Sequence, residues 1–426
     1  MNNMSLLTQA SLILTPTAYK ANKLYSVVPS SENGDLTTTR ATTATRVNSS
    51  GLVENVATGI PRIDYTNGDA NILLEPQRTN LSLYSSEFNN AYWTKNNSTI
   101  SANLVASPDG STTADKIVSN LFTGRIAVSK IFTVTANVKN TFTIYAKAAE
   151  WNRICIFHDA TTFSEGSFYG GGTVVNLLTG VSSNPSITKS TSVGNGWYRI
   201  ETSATPTITS HHIAIVPFAP STTDVNAVVG DGVSGVYIWG SQMETGSYAT
   251  SYIPTTTSTV TRNLDDISKT GVSTDILNPS EGTFYVEIST LANDLTSRII
   301  SINDGTDFNN IQIQFSNVSN IIRLDTYGQT GVGTTANYRS NVTVSDTTTL
   351  HKCLIKWGAT GIFGYVDGVK YTLGLAAGTG TGIPTALNRI DFKLWWGGNP
   401  FYGKCKGMQI YKTALTDAEC ALLTTL

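Results

Sequence analysis

Apolar and polar residues alternate along much of this chain, and that alternation constrains the fold more than any other feature. Residues 284–288 read Phe-Tyr-Val-Glu-Ile, residues 311–315 read Ile-Gln-Ile-Gln-Phe, and residues 142–147 alternate in the same way. Successive side chains of a strand point to opposite faces, so each segment is predicted to be a strand with one buried face. Residues 213–216 are apolar throughout, as in a strand that is buried on both faces. The sequence therefore predicts an all-β fold.

Turn residues separate these strands at short intervals. Pro108-Asp109-Gly110, the glycines at 170–172 and Asn195-Gly196 all interrupt apolar segments. Asp367-Gly368 lies between two apolar runs and predicts a tight type I′ hairpin, because both residues tolerate positive φ. Only 14% of the residues are charged, and Thr, Ser, Asn and Gly replace them, as suits sheet surfaces and turns. Many short strands separated by such turns indicate antiparallel sandwiches.

A chain of 426 residues is too long for a single core, so several domains are expected. We predict a jelly-roll sandwich over residues 81–255, a linker strap over 256–270 and a second sandwich over 271–426. Thr416 to Glu419 forms a capping-box sequence, which predicts a short helix that closes near Leu423.

Residues 1–80 contain only short apolar stretches with no sustained period, so they cannot close a core alone. We predict that they form an extended attachment segment, with a hairpin turn at Asn67-Gly68. Such a segment needs a partner surface, either on sister chains or on another protein. This requirement favours an oligomer.

Bulk properties exclude several functions. The net charge of −2 gives no field that would attract nucleic acid. The apolar stretch at residues 12–14 is too short for a signal sequence or a membrane span, so we expect cytosolic synthesis without membrane insertion. The four cysteines lack zinc-site spacing and are expected to be buried free thiols.

Catalytic patterns are not found in the sequence. A glycoside hydrolase needs two carboxylates across a cleft, whereas the acidic residues here are scattered. The histidines lie in no nucleophile motif, and phosphate-binding loops are missing. We expect no enzymatic activity and no organic cofactor. Asp304 and Asp307 supply hard oxygen ligands that could bind Ca²⁺, although an ordinary Asx turn accounts for the same residues.

Residues 395–402 have the side-chain types that bind sugars. The aromatic rings of Trp395 and Tyr402 could stack on a sugar, and Asn399 could bind its hydroxyl groups. Trp396 shares the phase of the apolar residues at 390, 392 and 394, so it is expected to face inward and Trp395 outward. Tyr365 is the fourth candidate for glycan binding. Core packing remains an alternative role for these aromatic residues.

Three parts of the chain, the last of them made of several segments, each resemble a known family. Residues 236–262 combine a final core strand with a polar exit strap that ends at Arg262, and this block resembles a module of bacteriophage virion proteins. Residues 194–200, Gly-Asn-Gly-Trp-Tyr-Arg-Ile, are similar to the central strand of jelly-roll carbohydrate-binding modules. Residues 351–357, 364–369 and 403–419 together resemble the concanavalin A-like lectin and laminin-G group, which has a two-sheet sandwich fold.

The resemblance implies a fibre or spike subunit of a bacteriophage, either a head fibre or a tail fibre. Such a protein would assemble in the host cytoplasm, anchor on other virion proteins by its N-terminal segment, and form a homotrimer exposed on the particle. Its sandwiches would bind host surface glycans. A polysaccharide depolymerase and a purely architectural capsid decoration protein remain alternatives. The Glu-x-Asp-x-x-Glu strand of catalytic concanavalin-like enzymes has no match here, and the strap at 236–262 is interpreted as a hinge rather than a ligand site.

Overall fold

The computed structural model describes residues 6–159, 172–186, 188–219, 224, 227–331 and 334–425. Almost all regular structure in these ranges is β-strand, which confirms the predicted all-β fold. The predicted glycine turn at 170–172 lies mostly outside the described residues. The chain forms two sandwiches, one inserted into the other.

The first eight strands precede the inserted sandwich. They are β1 (Leu12–Lys20), β2 (Lys23–Val28), β3 (Leu36–Thr39), β4 (Ala44–Val47), β5 (Val53–Val56), β6 (Ile63–Asp64), β7 (Asn71–Leu74) and β8 (Arg78–Asn80).

The inserted sandwich contains the next group of strands. They are β9 (Thr94–Asn96), β10 (Ser98–Val105), β11 (Ala114–Ser119), β12 (Thr123–Gly124), β13 (Ala127–Thr133), β14 (Asn140–Ala148), β15 (Arg153–Asp159), β16 (Thr173–Asn176), β17 (Thr188–Ser192), β18 (Trp197–Ala204), β19 (Ser210–Phe218), β20 (Val228–Val229) and β21 (Gly235–Thr245).

The last group of strands is followed by one helix. They are β22 (Val260–Arg262), β23 (Asp266–Thr270), β24 (Gly282–Thr290), β25 (Arg298–Asn303), β26 (Asn310–Phe315), β27 (Ile321–Gly331), β28 (Thr334–Thr343), β29 (His351–Trp357), β30 (Phe363–Val366), β31 (Val369–Thr372), β32 (Gly374–Ala377), β33 (Arg389–Asp391), β34 (Gly403–Tyr411) and α1 (Asp417–Thr424).

The inserted sandwich has the strand order of a jelly roll. One sheet runs β10-β11-β21-β14-β18-β17 and the other runs β16-β15-β19-β13-β9, with antiparallel pairing throughout. Strands β13, β14 and β15 alternate between the two sheets, as do β18, β19 and β21, and this crossing between sheets is typical of a jelly roll. Strands β10 and β11, β15 and β16, and β17 and β18 are consecutive strands of one sheet. The inward faces of both sheets meet in one core that includes Phe142, Ile144 and Ile215, each fully buried.

The block at 236–262 has its expected position in this sandwich. Strand β21 lies between β11 and β14, so it completes the larger sheet, and it continues as far as Thr245. The strand that begins at Trp197 is less central than its resemblance suggested, because β18 has only β17 beyond it. Trp197 itself is buried in a smaller cluster with Tyr145 and Trp239.

The second sandwich is built from both ends of the chain. Its strands belong to one continuous 17-stranded sheet that folds into two layers. In one layer β24 lies between β29 and β34, and β34 also pairs with β1 and β7. In the other layer β25 to β28 follow one another, and β25 continues through β33 and β23 to β3. Strand β2 pairs with both β1 and β3 and so joins the two layers. A single core between the layers contains Leu12, Ile72 and Phe284, all fully buried.

This arrangement corrects the predicted domain boundaries. Residues 1–80 were expected to need a partner outside the chain, but the partner surface is the C-terminal sandwich of the same chain. Leu12 pairs with Ile410, and Ile72 pairs with Cys405. The apolar residues of the segment are therefore buried without a sister chain, and their burial no longer argues for an oligomer.

The predicted linker over residues 256–270 is also shorter than expected. Strand β22 pairs with β8, so the chain enters and leaves the inserted sandwich along two adjacent antiparallel strands. Strand β23 already belongs to a sheet of the second sandwich. A paired double crossing of this kind is stiffer than the single-strand hinge that the sequence suggested.

Buried charges hold this crossing together, and we call them the junction cluster. Its members are Arg40, Arg62, Glu75, Ser251, Arg262 and Asp265. Arg62 Nη1 donates to Glu75 at 2.6 Å, its Nη2 donates to Asp265, and Arg262 also donates to Glu75. Arg40 Nη1 donates to Asp265 at 2.8 Å. The five charged side chains are at most 4% exposed, so the cluster is almost completely shielded from water.

Two local predictions are confirmed in detail. Strands β30 and β31 form a hairpin in which Val366 pairs with Val369, and Asp367 and Gly368 have φ of 50° and 83°. Thr416 caps α1 with both bonds of a capping box: its side chain accepts from the backbone N–H of Glu419, and the Glu419 side chain accepts from the backbone N–H of Thr416. Asn67-Gly68 lies within the loop between β6 and β7, which pair at Asp64 and Asn71.

Candidate functional site

Polar side chains cover the outward face of the sheet that contains β25 to β28. On β26 the side chains of Ile311, Ile313 and Phe315 enter the core, so the alternating Gln312 and Gln314 point outward. These outward glutamines are nevertheless at most 4% exposed. The surface above them is therefore partly covered, and it forms a recess rather than an open sheet face.

A cleft of about 210 Å³ lies on this face, and we call it the sheet cleft. Its lining residues are Ile299, Asp307, Asn310, Gln312, Arg323, Tyr327, Thr335, Leu394 and Asn399. Strands β25 to β28 supply the floor, and the loops at 304–309 and 394–399 supply the rim. The lining is mainly amide, guanidinium, phenol and hydroxyl groups, which suit a ligand rich in hydroxyl groups.

One buried carboxylate orients the basic side chains of this face. Asp325 is fully buried and accepts from Arg323 Nε at 2.9 Å, Arg339 Nε at 2.6 Å and Gln314 Nε2 at 3.0 Å. The two arginine side chains remain 26% and 31% exposed. Partial burial would lower the pKa of Arg339, but its hydrogen bond with Asp325 raises it overall. The guanidinium groups are thus fixed and charged, with N–H groups left for a ligand.

Asn310 on the cleft floor has an unmet hydrogen-bonding requirement. The residue is 2% exposed, and its Oδ1 has no hydrogen-bond partner among the described residues. Gln314 Oε1, four residues further along β26 and on the same face, also has no hydrogen-bond partner among the described residues. Buried amide oxygens are nearly always bonded to protein, water or ligand. A ligand hydroxyl or an ordered water in this region would supply the missing donor.

The structure brings three of the predicted site residues together. Asp307 and Asn399 both line the sheet cleft. Trp395 lies at the rim, where its Nε1 donates to Asp307 Oδ1 at 2.5 Å. The Asn399 carbonyl accepts from the backbone N–H of Ile299 at 3.1 Å, which ties this loop to β25. The residues predicted around Trp395 therefore lie together at one edge of the cleft.

Two other predicted glycan-binding residues lie elsewhere. Tyr365 is 1% exposed beneath α1 and donates to Asp417 Oδ1 at 2.8 Å, so a ligand cannot reach it. Tyr402 is half-buried on the side of Tyr248, and it does not line the cleft. Burial first, and then the neighbouring Tyr248 and Asp265, raise the pKa of Tyr402 to about 12.

The predicted orientation of Trp396 is wrong. Strand β33 ends at Asp391, and a turn begins at Leu394, whose backbone N–H donates to the Gly398 carbonyl at 2.8 Å. The strand phase therefore does not extend to Trp396, which is 61% exposed. Its ring lies over Gly398, where a Cβ atom would collide with it. Trp396 thus presents a large aromatic surface beside the cleft.

The aspartates that were considered for Ca²⁺ are engaged in local hydrogen bonds. Asp304 Oδ1 accepts from the Thr306 backbone at 2.9 Å and from its hydroxyl at 2.6 Å, while Oδ2 accepts from Asn309 at 2.7 Å. This is the geometry of an Asx turn, the alternative that the sequence left open. In the described ranges no group of three or more His, Cys, Asp or Glu side chains is arranged to hold a metal ion.

Sequence reasoning missed the floor of the cleft. Asn310, Gln312, Arg323 and Tyr327 were not among the predicted site residues, although all of them line it. The alternation of β26 contained the signal, because its polar residues had to share one outward face. The corresponding face of β27 carries Arg323 and Tyr327, and the pairing of Gln312 with Asp325 aligns the two strands.

The four cysteines are free and buried, as the sequence predicted. Burial raises the pKa of Cys155 and of Cys405 to about 12, which keeps both as unreactive thiols. Within the described part of the chain, no helix has the length and apolar character needed to cross a membrane.

Comparisons with known proteins give partial structural similarity only. No protein-family model matches the sequence, and no curated protein sequence is significantly similar to it. The CBM40 module of the Ruminococcus gnavus IT-sialidase, solved with α2,3-sialyllactose, is 15% identical with a TM-score of 0.28, covering 34% of this chain and 84% of the module. Domain 4 of the Geobacillus stearothermophilus arabinanase AbnA is 12% identical with a TM-score of 0.29, covering 42% and 82%.

Domains LG4-5 of the mouse laminin α1 chain are also similar in part. They are 8% identical with a TM-score of 0.24, and the match covers 67% of this chain and 87% of theirs. At these TM-scores, no ligand or activity is carried over from them.

Proposed function

We propose that this chain is a non-catalytic glycan-binding protein and that the sheet cleft is its binding site. The observation that carries the proposal is the cleft lining, which contains both Asn310 Oδ1, buried without a hydrogen-bond partner among the described residues, and the guanidinium of Arg323, which Asp325 orients. Such a floor offers both an acceptor and fixed donors to the hydroxyl groups of a sugar. The rim adds the aromatic surface of Trp395, and Trp396 extends it.

Each group has a defined role in this proposal. Arg323 donates to sugar hydroxyl oxygens, and Asp325 holds its guanidinium in place from below. Asn310 and Gln312 provide amide groups on the floor, and Asn399 provides one on the opposite rim. Tyr327 contributes a phenol ring at the wall.

The carboxylates near the cleft favour binding over hydrolysis. Asp325 is fully buried between two guanidinium groups, which leaves it no access to a leaving-group oxygen. Asp307 is exposed and accepts a hydrogen bond from the Trp395 indole. A glycosidase would need one carboxylate that is kept protonated and a second one across the bond to be broken.

A glycan array tests the proposal. The parent protein should bind one or more glycans, and Arg323→Ala and Trp395→Ala should each remove that binding. Lys412→Ala is the control, because it deletes an exposed positive charge on the segment after β34, away from the cleft. If no glycan binds, or if Arg323→Ala and Trp395→Ala bind as the parent does, the sheet cleft is not the site. Reducing ends released from a bound polysaccharide would instead support a depolymerase.

We further propose that the chain serves as a bacteriophage fibre or spike subunit, which displays its sandwiches toward host surface glycans. The support is the resemblance of residues 236–262 to a module of virion proteins. The homotrimer expected for such subunits rests on the same resemblance. Mass spectrometry of purified particles should detect the chain, and light scattering should give three times its mass of 45.6 kDa. A monomer, or particles that lack the chain, would leave only the glycan-binding proposal.

A further inference from the structure

A second cleft, of about 300 Å³, lies on the part of the chain before the inserted sandwich. Its lining residues are Thr17, Tyr19, Arg46, Asn48, Ser49, Glu54, Ile63 and Tyr65, and we call it the N-terminal cleft. It shares no lining residue with the sheet cleft. Strands β1, β4, β5 and β6 carry most of the lining, so it is built on regular structure.

An ion pair across two paired strands forms part of this cleft. Arg46 on β4 lies directly opposite Glu54 on β5, and its Nε donates to Glu54 Oε1 at 2.7 Å. Asn48 Nδ2 donates to the other carboxylate oxygen of Glu54 at 3.0 Å. The side chains of Arg46 and Glu54 are 15% and 35% exposed, so a ligand can reach the pair.

The guanidinium of Arg46 is also held from a third side. Its Nη2 donates to the Tyr19 hydroxyl at 3.1 Å, and its central carbon lies 5.5 Å from the centre of the Tyr19 ring. Its Nη1 has no hydrogen-bond partner among the described residues. The arginine is thus oriented by Glu54 and Tyr19 while part of its donor capacity is unused.

Charge and chemistry indicate the class of ligand. The positive charge of Arg46 is balanced by Glu54, so the cleft has no net charge that would select an anion. Two tyrosine rings offer flat apolar surfaces, and Thr17 and Ser49 offer hydroxyl groups beside them. A small molecule with an apolar ring face and many hydroxyl groups fits this set, whereas a phosphate or a nucleic acid does not.

We propose that the N-terminal cleft is a second saccharide-binding site, which takes an uncharged sugar unit independently of the sheet cleft. Glu54 is its one carboxylate, so the site binds sugar without hydrolysing it. A chain with two such clefts can bind one polysaccharide at two points. The second contact then forms at a high effective concentration, which raises the overall affinity for a polymer above that for a single sugar.

Saturation-transfer NMR tests this inference with defined probes, namely D-glucose, D-galactose, N-acetyl-D-glucosamine and the anionic D-glucuronic acid. Arg323→Ala removes the contribution of the sheet cleft. In that variant, at least one uncharged probe should still give a signal. Adding Ser49→Trp, which fills the N-terminal cleft from an exposed position, should abolish it. Ser50→Trp is the matched control, because Ser50 is exposed and adjacent but does not line the cleft.

The outcomes separate the two sites. A signal that survives Arg323→Ala and disappears only with Ser49→Trp supports the N-terminal cleft, whatever the glycan array shows for the sheet cleft. Loss of every uncharged-probe signal in Arg323→Ala alone overturns the inference and leaves the sheet cleft as the sugar site. A signal from glucuronic acid alone, or a signal that Ser49→Trp leaves unchanged, overturns it as well. Unaltered circular dichroism spectra verify that each variant is folded.

Discussion

Replacing Glu75 by Gln should destabilise the protein strongly, because Glu75 is the centre of the junction cluster. Its carboxylate accepts from Arg62 Nη1 at 2.6 Å, from Arg262, and from both the backbone N–H and the hydroxyl of Ser251 at 2.7 Å. A glutamine has the same shape, but its amide nitrogen donates where the carboxylate oxygen accepted. The substitution therefore turns some of these bonds into donor–donor contacts.

The loss of charge adds to the loss of these bonds. In the variant, Arg40, Arg62 and Arg262 would share the single carboxylate of Asp265, and all of these side chains are at most 2% exposed. Removing one partner from a buried ion pair typically costs about 3 to 5 kcal/mol. For a domain of this size, that loss lowers the melting temperature by roughly 10 °C.

Urea denaturation followed by tryptophan fluorescence measures the change in the free energy of unfolding. Glu54→Gln is the matched control, because Glu54 also pairs with an arginine but is 35% exposed. Exposed pairs contribute about 0 to 1 kcal/mol, so this control should be close to the parent. If Glu75→Gln costs no more than Glu54→Gln, the junction cluster does not stabilise the crossing, and the reasoning is wrong.

Three further predictions follow from the same structure. Burial would raise the pKa of Glu75, but Arg262 and Arg62 hold that pKa well below its usual range. The ionised Glu75 therefore stabilises the fold above its unfolded-state pKa of about 4.3, and this stabilisation is lost as the pH falls below that value. In acid denaturation curves, the stability of Glu75→Gln should change less over this pH range than the stability of the parent. Thr416→Ala removes the hydroxyl that accepts from the Glu419 backbone N–H in the α1 capping box and should cost about 1 kcal/mol in thermal unfolding. Because burial raises the pKa of Cys155 and Cys405 to about 12, a thiol reagent should label them only after unfolding; rapid labelling of the native protein would contradict the buried positions.

Local structure could be predicted from the sequence because local chemistry determines it. Asp367-Gly368 tolerates the positive φ of a tight hairpin, and the structure has that hairpin. The alternation at residues 311–315 predicts strand β26 with its apolar face inward, as observed. These features depend on neighbouring residues only, so no knowledge of the rest of the chain is needed.

Long-range pairing could not be predicted in this way. No residue of strand β1 identifies β34 as its pairing partner. In addition, a segment that buries its apolar side chains against its own chain has the same composition as a segment that docks on another protein. The prediction that residues 1–80 require an external partner failed for this reason. The ion pairs of the junction cluster likewise join Arg62 to Asp265 across 203 positions, with no local pattern to indicate them.

In the candidate site, too, local sequence predicted some residues, and long-range strand pairing determined the others. The residue types around Trp395 and Asn399 located the rim, because aromatic and amide side chains at the end of a strand are typical of sugar sites. Trp396 was assigned to the wrong face, since nothing in the sequence marks the end of β33 at Asp391. Arg323 was missed because its role depends on strand register, which places it beside Gln314 on the neighbouring strand.

The discontinuous second sandwich determines the order in which the chain can fold during synthesis. The Ser11 hydroxyl bonds the carbonyl of Ile410, 399 positions away, so the first strands emerge from the ribosome long before their partners exist. The inserted jelly roll is continuous in sequence and can fold in the meantime. Truncating the chain before β34 would then leave β1 and β7 as unpaired, apolar strand edges, which favour aggregation. Deleting β34 is therefore expected to detach β1 and β7 from the second sandwich as well.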